Sequence, residues 1–412
     1  MNGSSLHRAR LENGFEIVGE SRAGRSLALA LAIEAGARDE APNEAGAAHL
    51  LEHLAFKGDE RRDADAVNRA FDELGASVNA TTGHDRTTYV AAALADVREP
   101  LVEQLLALAT PALREEDVAL ERAVVLEEIA MAADHPPDRA FERAAARYYA
   151  GHPLGSPVLG SAASVAGLDA FGLRAFHRGW YGADRATLVV AGTFDWPALV
   201  AQVRALTSGW PAAACVRAYP NPTPRRGAEA ERSDGAARAY VHWFAPAPSA
   251  QDPDRDAAEL LARVLGDPGH GRLRRALVEP GWVDEASAWY EPADGVGTFL
   301  ATVAVDDRRC ERVVGAAEDV IERFAREGPS DDEWWRAQQA LATDLAMLAE
   351  TPAGRVSELL DGWLDRGRLE AAEEGVRRAL ATPRAAGAAL LEAGPWAVRF
   401  RHATRPRRRR RR

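Results

Sequence analysis

The chain has 412 residues, of which 47% are apolar and 27% charged, with a formal net charge of -11. This length favours two domains, and this composition is typical of a globular protein with large cores, so a disordered chain is not expected. The two cysteines, Cys215 and Cys310, are too few for a disulfide framework or a thiolate zinc site. The first 25 residues contain no apolar signal-peptide core, and no apolar stretch reaches the length of a membrane span. The sequence therefore predicts a cytoplasmic protein without a membrane span.

The negative charge is concentrated in the body of the chain. The last fourteen residues, RFRHATRPRRRRRR, contain nine arginines and no acid, so that residues 1–398 alone carry -20. A body this acidic argues against nucleic acid as the main partner. Residues 399–412 are expected to form a solvated, disordered tail, and a tether to an anionic surface is the alternative.

A similar order of elements occurs in both halves of the chain. In the first half, the alternating strand SLALALAIEAG leads through a polar turn into the helix NEAGAAHLLEHLAF. In the second half, the strand RAYVHWFAP leads through a turn into the helix RDAAELLARVLGD. Each of these helices is followed by a second helix and then by a strand, a turn and a strand. The repeated order indicates internal duplication.

Two long helices and the interruption between them define the domain organisation. Amphipathic helices are predicted over residues 114–133 and 331–349, and a proline-rich, charged stretch interrupts the periodic pattern before the second half begins. The sequence therefore predicts an α+β fold of two tandem homologous domains, each an antiparallel sheet packed against helices. We place the domains at residues 1–212 and 238–398, with a linker over 213–237.

The segment HLLEH contains a candidate metal site. On a helix, His49 and His53 lie one turn apart on the same face, and Glu52 is close to both. Two imidazoles suit a zinc ion, and a neighbouring carboxylate that does not bind the metal can accept a proton from water. With ten histidines and 62 acids in 412 residues, the pattern H-x-x-[DE]-H is expected by chance about 0.04 times. The motif thus indicates a zinc site, and the alternative is a pair of hydrogen-bonded histidines on a half-buried helix.

A later helix offers the third ligand that a catalytic zinc requires. In ALERAVVLEEIAMAAD, Glu121 and Glu128 are seven residues apart and lie on nearly the same face, whereas Glu127 points about 100° away. A carboxylate among apolar residues needs a partner. We therefore predict that Glu128 is the third ligand and that Glu121 orients a ligand histidine. Such a site binds zinc, but manganese and cobalt are also compatible with it.

These motifs resemble those of the pitrilysin/insulinase family of zinc peptidases, which includes the mitochondrial processing peptidase. The inverted motif H-x-x-E-H is present as HLLEHLAFKG, and an E-R-x-V-x-x-x-E stretch is present as ERAVVLEE about 75 residues later. The resemblance implies one zinc per chain, with Glu52 as the general base and His49, His53 and Glu128 as ligands. It also implies that the two domains form half of a clamshell.

The resemblance further assigns a role to the segment SVNAT. In the family this strand is a sheet edge that accepts the substrate as an added strand, so Asn79 and Ala80 are expected to contact the substrate. From the residues alone, Asn79 is only a polar residue in a strand near a turn and would be assigned a structural role.

The second half lacks a residue pair that the resemblance leads us to expect. Family members that complete their own site have an R-x-x-x-x-x-x-Y pair, which binds the substrate and its developing oxyanion. Alignment of GRLRRALVEPGWVDEASAWY with the family places Leu277 and Asp284 at these two positions.

Three interpretations of the missing pair are open. A partner chain supplies the pair, or Arg274 or Arg275 together with Tyr290 substitutes for it, or the enzyme is weak. Heterodimeric bacterial members, in which one chain has the zinc and the other has the arginine and tyrosine, favour the first interpretation.

The sequence thus predicts a zinc metalloendopeptidase that hydrolyses peptides or short unfolded segments inside a closed chamber. We expect it to be the catalytic subunit of a heterodimer with a homologous chain, or else a homodimer. The alternative is a non-catalytic subunit, similar to processing peptidases, that binds peptides or has a structural role and keeps zinc to stabilise its fold.

Overall fold

The computed structural model describes residues 4–234, 236–394 and 396–407. Within these ranges the strands are β1 Ser5–Arg10, β2 Glu16–Ser21, β3 Ser26–Ile33, β4 Ser77–Thr82, β5 Thr87–Leu94, β6 Ala186–Gly192, β7 Gly227–Ser233, β8 Ala239–Ala247, β9 Ala286–Ala293, β10 Val296–Val305 and β11 Phe400–Pro406. The α-helices are α1 Ala47–Ala55, α2 Ala64–Glu73, α3 Arg98–Ala107, α4 Glu115–Asp134, α5 Pro136–Tyr149, α6 Ala162–Ala166, α7 Ala170–Trp180, α8 Trp196–Thr207, α9 Arg255–Gly266, α10 Cys310–Glu327, α11 Asp331–Leu348, α12 Pro352–Arg366, α13 Ala372–Ala381 and α14 Arg384–Glu392. In the same part of the chain, no helix combines the length and apolar character that crossing a membrane requires.

The chain forms two compact units that are not continuous in sequence. Of the described residues, the first contains those up to Ala130, Ser156–Tyr219 and Ala346–Glu373, and the second contains the others. Each half of the chain therefore contributes a helix to the other unit: α5 belongs to the second unit and α12 to the first. The predicted domains over 1–212 and 238–398 do not include this exchange. An amphipathic pattern indicates that one face of a helix is buried, but not which sheet covers it.

The first unit is built on a six-stranded sheet with the order β1-β2-β6-β3-β5-β4. Only the pair β2–β6 is parallel in this order, and the other pairs are antiparallel. The predicted α+β class is confirmed, and the sheet is mixed where a fully antiparallel sheet was expected. Strand β4, which contains the segment SVNAT, lies at an edge.

The central strand β3 is buried on both faces, which explains its alternating sequence SLALALAI. Its leucines and isoleucine point into the main core beneath α1, α3 and α7, while Ala28, Ala30 and Ala32 point to the opposite face. On that opposite face the alanines pack against Val356, Leu359 and Leu360 of α12. Small side chains allow the helix to approach the sheet closely, and successive strand residues alternate between the two faces.

The second unit is built on a five-stranded sheet with the order β7-β11-β8-β10-β9. Its main core contains the large side chains of β8, β10, α9 and α10, and the pair β7–β11 is parallel. On the other face, Ala144 and Tyr148 of α5 pack against Phe244, Leu300 and Phe400. Strand β7 falls within the predicted linker 213–237, whose sequence pattern did not indicate a strand.

The expectation of a disordered tail over residues 399–412 is wrong for the strand β11. This strand pairs with β8 on one side and β7 on the other. Its arginines neutralise acids of the second unit: Arg401 contacts Glu318 at 3.2 Å, and Arg405 contacts Asp307 at 2.6 Å. Other residues of the strand, such as Phe400 and Ala403, are buried. The positive charges are therefore paired within the fold, and residues 408–412 lie outside the described part of the chain.

A buried ion pair attaches α12 to the first sheet. Arg355 of α12 donates from Nε to the carboxylate of Glu20 on β2, and both side chains are 3% exposed. Arg355 also contacts Glu358 at 3.0 Å and donates to the backbone carbonyl of Glu370. Removal of one partner from a buried pair leaves the other charge without compensation.

We expect Arg355→Met to lower the free energy of unfolding by about 3 kcal/mol, since Glu20 would lose the direct guanidinium contact and keep the longer contact with Nε of Arg22, at 3.9 Å. Urea denaturation followed by circular dichroism measures the change. As a control, Arg336→Met removes a cation from the exposed pair with Asp332 and should change stability by less than about 1 kcal/mol. The double variant Arg355→Met/Glu20→Met should recover most of the loss, and failure to recover would contradict this account.

Candidate metal centre

The helix α1, which contains the two histidines, begins at a point fixed by its surroundings. Gly46 has a left-handed backbone with φ +95°, and a Cβ there would lie 2.7 Å from the carbonyl oxygen of Leu159. The carboxylate of Glu40 accepts hydrogen bonds from the backbone N–H groups of Gly46 and Ala48, at 2.9 and 2.8 Å. These bonds satisfy amides that the first turn of a helix leaves without partners. Glu40 therefore fixes the start of the helix, a role that the sequence analysis missed.

The apolar face of α1 orients the functional side chains. Leu50, Leu51 and Leu54 are buried in the core of the first unit, which leaves His49, Glu52 and His53 half-buried on the other side. The helix α4 is placed in the same way, because its residues Val118 and Val125 enter that core. Two helices that are distant in sequence thus meet through their apolar faces and bring their polar faces together.

The three predicted ligands lie together. Donor atoms of His49, His53 and Glu128 are all within 4.8 Å of one another, and this is the only such group among residues 4–234, 236–394 and 396–407. The oxygen Oε2 of Glu128 is 3.8 Å from Nε2 of His49 and 3.5 Å from Nε2 of His53. Ligands of a tetrahedral zinc lie about 3.4 Å from one another. The donor set and its spacing therefore fit a zinc ion.

The protonation state of His49 also suits a metal. Burial and the neighbouring His53 lower the pKa of His49 to about 4, so the His49 ring is neutral at pH 7. A neutral imidazole has a free lone pair for a metal. The centroids of the His49 and His53 rings lie 4.7 Å apart, with the ring planes at 68°, nearly edge to face.

Glu121, predicted to orient a ligand histidine, contacts His53, one of the predicted ligands. Its Oε2 is 3.0 Å from Nδ1 of His53, which leaves Nε2 of His53 facing Glu128. The other oxygen of Glu121 contacts Nζ of Lys57 at 2.7 Å. A carboxylate bonded to the second nitrogen of a metal-binding histidine fixes its tautomer and ring orientation. Lys57 was not predicted to belong to the site, although it follows His53 by only four residues.

Glu52 stands outside the ligand group and has its own partner. Thr82 of β4 donates a hydrogen bond from Oγ1 to Oε2 of Glu52 at 2.5 Å. Burial raises the pKa of Glu52, and the Thr82 hydrogen bond partly offsets that rise. No sequence pattern indicated Thr82, because its contact with Glu52 joins residues that are 30 positions apart. It links the predicted general base directly to the edge strand.

The predicted substrate residues lie on that edge strand. Asn79 is exposed and pairs in register with Val90 of β5, and Ala80 pairs with Tyr89 and packs against the core. Along β4, Thr82 points to the same face as Ala80, because side chains two residues apart share a face. Thr82, which contacts Glu52, therefore belongs to the same edge strand as Asn79 and Ala80.

Four of the residues considered for the missing pair, Leu277, Asp284, Arg275 and Tyr290, are buried or have partners within the second unit. Leu277 is fully buried, and Asp284 contacts Arg238 at 2.6 Å. The hydroxyl of Tyr290 donates to the carbonyl oxygen of Pro248 at 2.7 Å, and Arg275 contacts Glu333 at 2.6 Å. These contacts disfavour the interpretation that Tyr290 and Arg275 substitute for the pair, and the alternative with Arg274 stays open.

The chain matches one family in both halves. Residues 17–162 match the family described as Insulinase (Peptidase family M16), and residues 170–341 match the Peptidase M16 inactive domain. An uncharacterized zinc protease of Mycobacterium tuberculosis is 31% identical over 385 residues, which cover 90% of this chain and 86% of the relative. Another, from Streptomyces coelicolor, is 31% identical over 81% of this chain and 75% of the relative. The chain belongs to the insulinase (M16) family of peptidases, as the resemblance indicated.

Solved structures show the same fold. A peptidase M16 inactive domain from Pseudomonas fluorescens has a TM-score of 0.90 at 19% identity and covers 98% of both chains. A protease from Helicobacter pylori has a TM-score of 0.87 at 18% identity and covers 98% of this chain and 100% of its own. The two-unit α+β architecture is thus that of M16 peptidases.

We expect Glu128→Gln to lower zinc affinity at least about 100-fold, because the variant loses the anionic ligand of the group. Metal analysis after dialysis against a weak chelator measures the bound zinc, which should be one per chain in the wild type. The adjacent Glu127→Gln is the matched control, since Glu127 is exposed and outside the ligand group. Equal loss of zinc in the two variants would contradict the assignment.

Proposed function

We propose that the protein is a zinc metalloendopeptidase that hydrolyses peptides or short unfolded segments. The observation that carries the proposal is a half-buried carboxylate, Glu52, that lies next to a three-donor metal group and is not a member of it. A purely structural zinc closes its fourth position and has no need of a general base. The zinc protease names of the relatives support the same metal.

The residues of the site have separate roles in this reaction. When bound, zinc polarises the scissile carbonyl and makes the attacking water more acidic. Glu52 accepts the proton of that water and returns it to the leaving nitrogen. The raised pKa of Glu52 favours this second step, because the carboxylic acid holds its proton until the peptide bond breaks. Thr82 holds the carboxylate in position through its hydrogen bond.

The edge strand β4 offers a way to bind peptides of varied sequence. Backbone groups of an extended peptide can pair with the free edge of β4, which gives affinity without demanding one sequence. We propose that Asn79 and Ala80 contact this peptide. Because Thr82 of the same strand contacts Glu52, a peptide added to this edge would be aligned close to the general base.

We further propose that a homologous partner chain completes the site and forms a closed chamber with this one. Leu277 and Asp284 occupy the positions of the arginine and tyrosine, so this chain lacks both groups for an oxyanion. The same observation favours the second candidate function, a non-catalytic subunit with a structural zinc. The cytoplasmic location stays a prediction.

We expect Glu52→Gln to retain zinc but to lower kcat/KM for peptide hydrolysis about 1000-fold, because an amide cannot accept the proton. Cleavage of a quenched fluorescent peptide library gives the activity, and metal analysis gives the zinc content. Glu127→Gln serves as the control and should keep both. Activity of Glu52→Gln equal to that of the wild type would remove the proposed mechanism.

We expect the activity to depend on a second chain. Addition of a homologous chain that lacks H-x-x-E-H but has the arginine and tyrosine should raise kcat/KM about 100-fold, with saturation at a 1:1 ratio. Titration of peptide cleavage against the added chain measures this dependence. If zinc is bound but no turnover occurs under any partner condition, the non-catalytic function is favoured instead.

A further inference from the structure

We infer that Lys57 is a positioning residue of the metal centre: its ammonium group holds Glu121 in the orientation in which Glu121 fixes the ring of His53. The inference concerns the same site and rests on the proposed zinc function. Lys57 lies two residues after the end of α1 and is the only lysine in the chain. Neither the metal ligands nor the general base contacts it through a described hydrogen bond, so its role passes through Glu121.

Glu121 connects Lys57 to the ligand His53. One oxygen of its carboxylate is 2.7 Å from Nζ of Lys57, and the other is 3.0 Å from Nδ1 of His53. Glu121 is only 4% exposed, so water has little access to it. A carboxylate buried to this degree requires charged or hydrogen-bonding partners. Lys57 and His53 together occupy both of its oxygens, which fixes the plane of the carboxylate.

The backbone around Lys57 is itself held in place. Gly58 has φ +108°, and a Cβ there would lie 2.1 Å from the carbonyl oxygen of Arg62. The guanidinium of Arg114 donates to the carbonyl oxygens of Lys57 at 3.4 Å and Arg62 at 3.2 Å, and to that of Asp59. Arg114 directly precedes α4, the helix that contains Glu121. Arg114 therefore connects the loop after α1 to the start of α4. The Lys57–Glu121 contact connects the same loop to α4 at a second point, further along the helix.

Loss of the lysine charge should release this arrangement. A buried carboxylate without its cation carries a large desolvation penalty, so Glu121 would turn toward water. Nδ1 of His53 would then lose its acceptor, and the ring could rotate away from Glu128. Loss of such an outer partner weakens metal affinity by about 10- to 100-fold in known metal sites.

The direction of the effect separates this role from a simple charge effect. A cation near a zinc ion repels it, so removal of a positive charge with no other consequence would tighten zinc binding. A positioning role predicts weaker zinc binding when the charge is removed, because the ring of His53 loses its orientation. Zinc affinity thus distinguishes the two without any measurement of activity.

The test compares the zinc dissociation constants of the full chain and its variants, measured by competition with a fluorescent chelator. Lys57→Met should raise the zinc dissociation constant about tenfold. Lys57→Arg keeps the charge and should stay within about threefold of the wild type. The control Arg61→Met removes a cation from an exposed position of the same loop, and it should leave the dissociation constant unchanged or lower it. Unchanged or tighter zinc binding in Lys57→Met would overturn the inference.

A double-mutant cycle tests whether Lys57 acts through Glu121. If it does, Lys57→Met should have little further effect on zinc affinity in a Glu121→Gln background. Additive effects of the two substitutions would overturn the inference. A wild-type chain that binds no zinc would instead overturn the proposed function, so the two failures are distinguishable. The visible absorption spectrum of the cobalt-substituted chain gives a second readout, and it should change in Lys57→Met but not in Arg61→Met.

If Lys57→Met does not fold, chemical modification of Lys57 in the folded wild-type chain tests the same inference. Because Lys57 is the only lysine, an amine reagent reaches a single side chain besides the terminal amine. Acetylation removes the charge of Lys57 and should raise the zinc dissociation constant, while reductive methylation keeps the charge and should leave it nearly unchanged. Equal zinc affinity after the two modifications, with complete reaction at Lys57 verified by mass spectrometry, would overturn the inference.

Discussion

The contact between Glu121 and His53 is the interaction on which the site depends. It joins α1 to α4, two helices whose relevant residues are 68 positions apart, and it leaves Nε2 of His53 facing Glu128. A metal tolerates errors of only a few tenths of an ångström in its donor positions. Apolar packing of the two helices brings the donors near one another, but a hydrogen-bonded carboxylate is needed to fix the ring.

The contacts between α1, its following loop and α4 also place the charged groups of the site. Glu121 and Glu128 bring two carboxylates close to the histidines, and Lys57 contacts the more buried of the two. A carboxylate beside a cation remains a stable acceptor, whereas the more exposed Glu128 remains available to a metal. Glu121 and Glu128 are chemically identical, but their surroundings favour different roles: Glu121 orients His53, and Glu128 is available to a metal.

The sheet provides the second connection in the site. Strand β4 is an edge, and its residue Thr82 contacts Glu52. Strand β3 supports this arrangement from the middle of the sheet, because its leucines pack under α1 while its alanines accept α12 on the other face. The position of the proposed general base and the edge proposed to bind a peptide thus depend on the same sheet.

The sequence by itself determined the features that depend on local spacing. The i, i+4 positions of His49 and His53, the seven-residue spacing of Glu121 and Glu128, and the alternation in β3 follow from helix and strand periodicity. Only the tertiary structure decided which sheets α5 and α12 cover, that Arg401 and Arg405 belong to a paired strand, and that Thr82 and Lys57 contact the site acids. Periodicity indicates which face of a helix or strand is buried. These contacts depend instead on how elements distant in sequence pack against one another, which the local residue pattern does not specify.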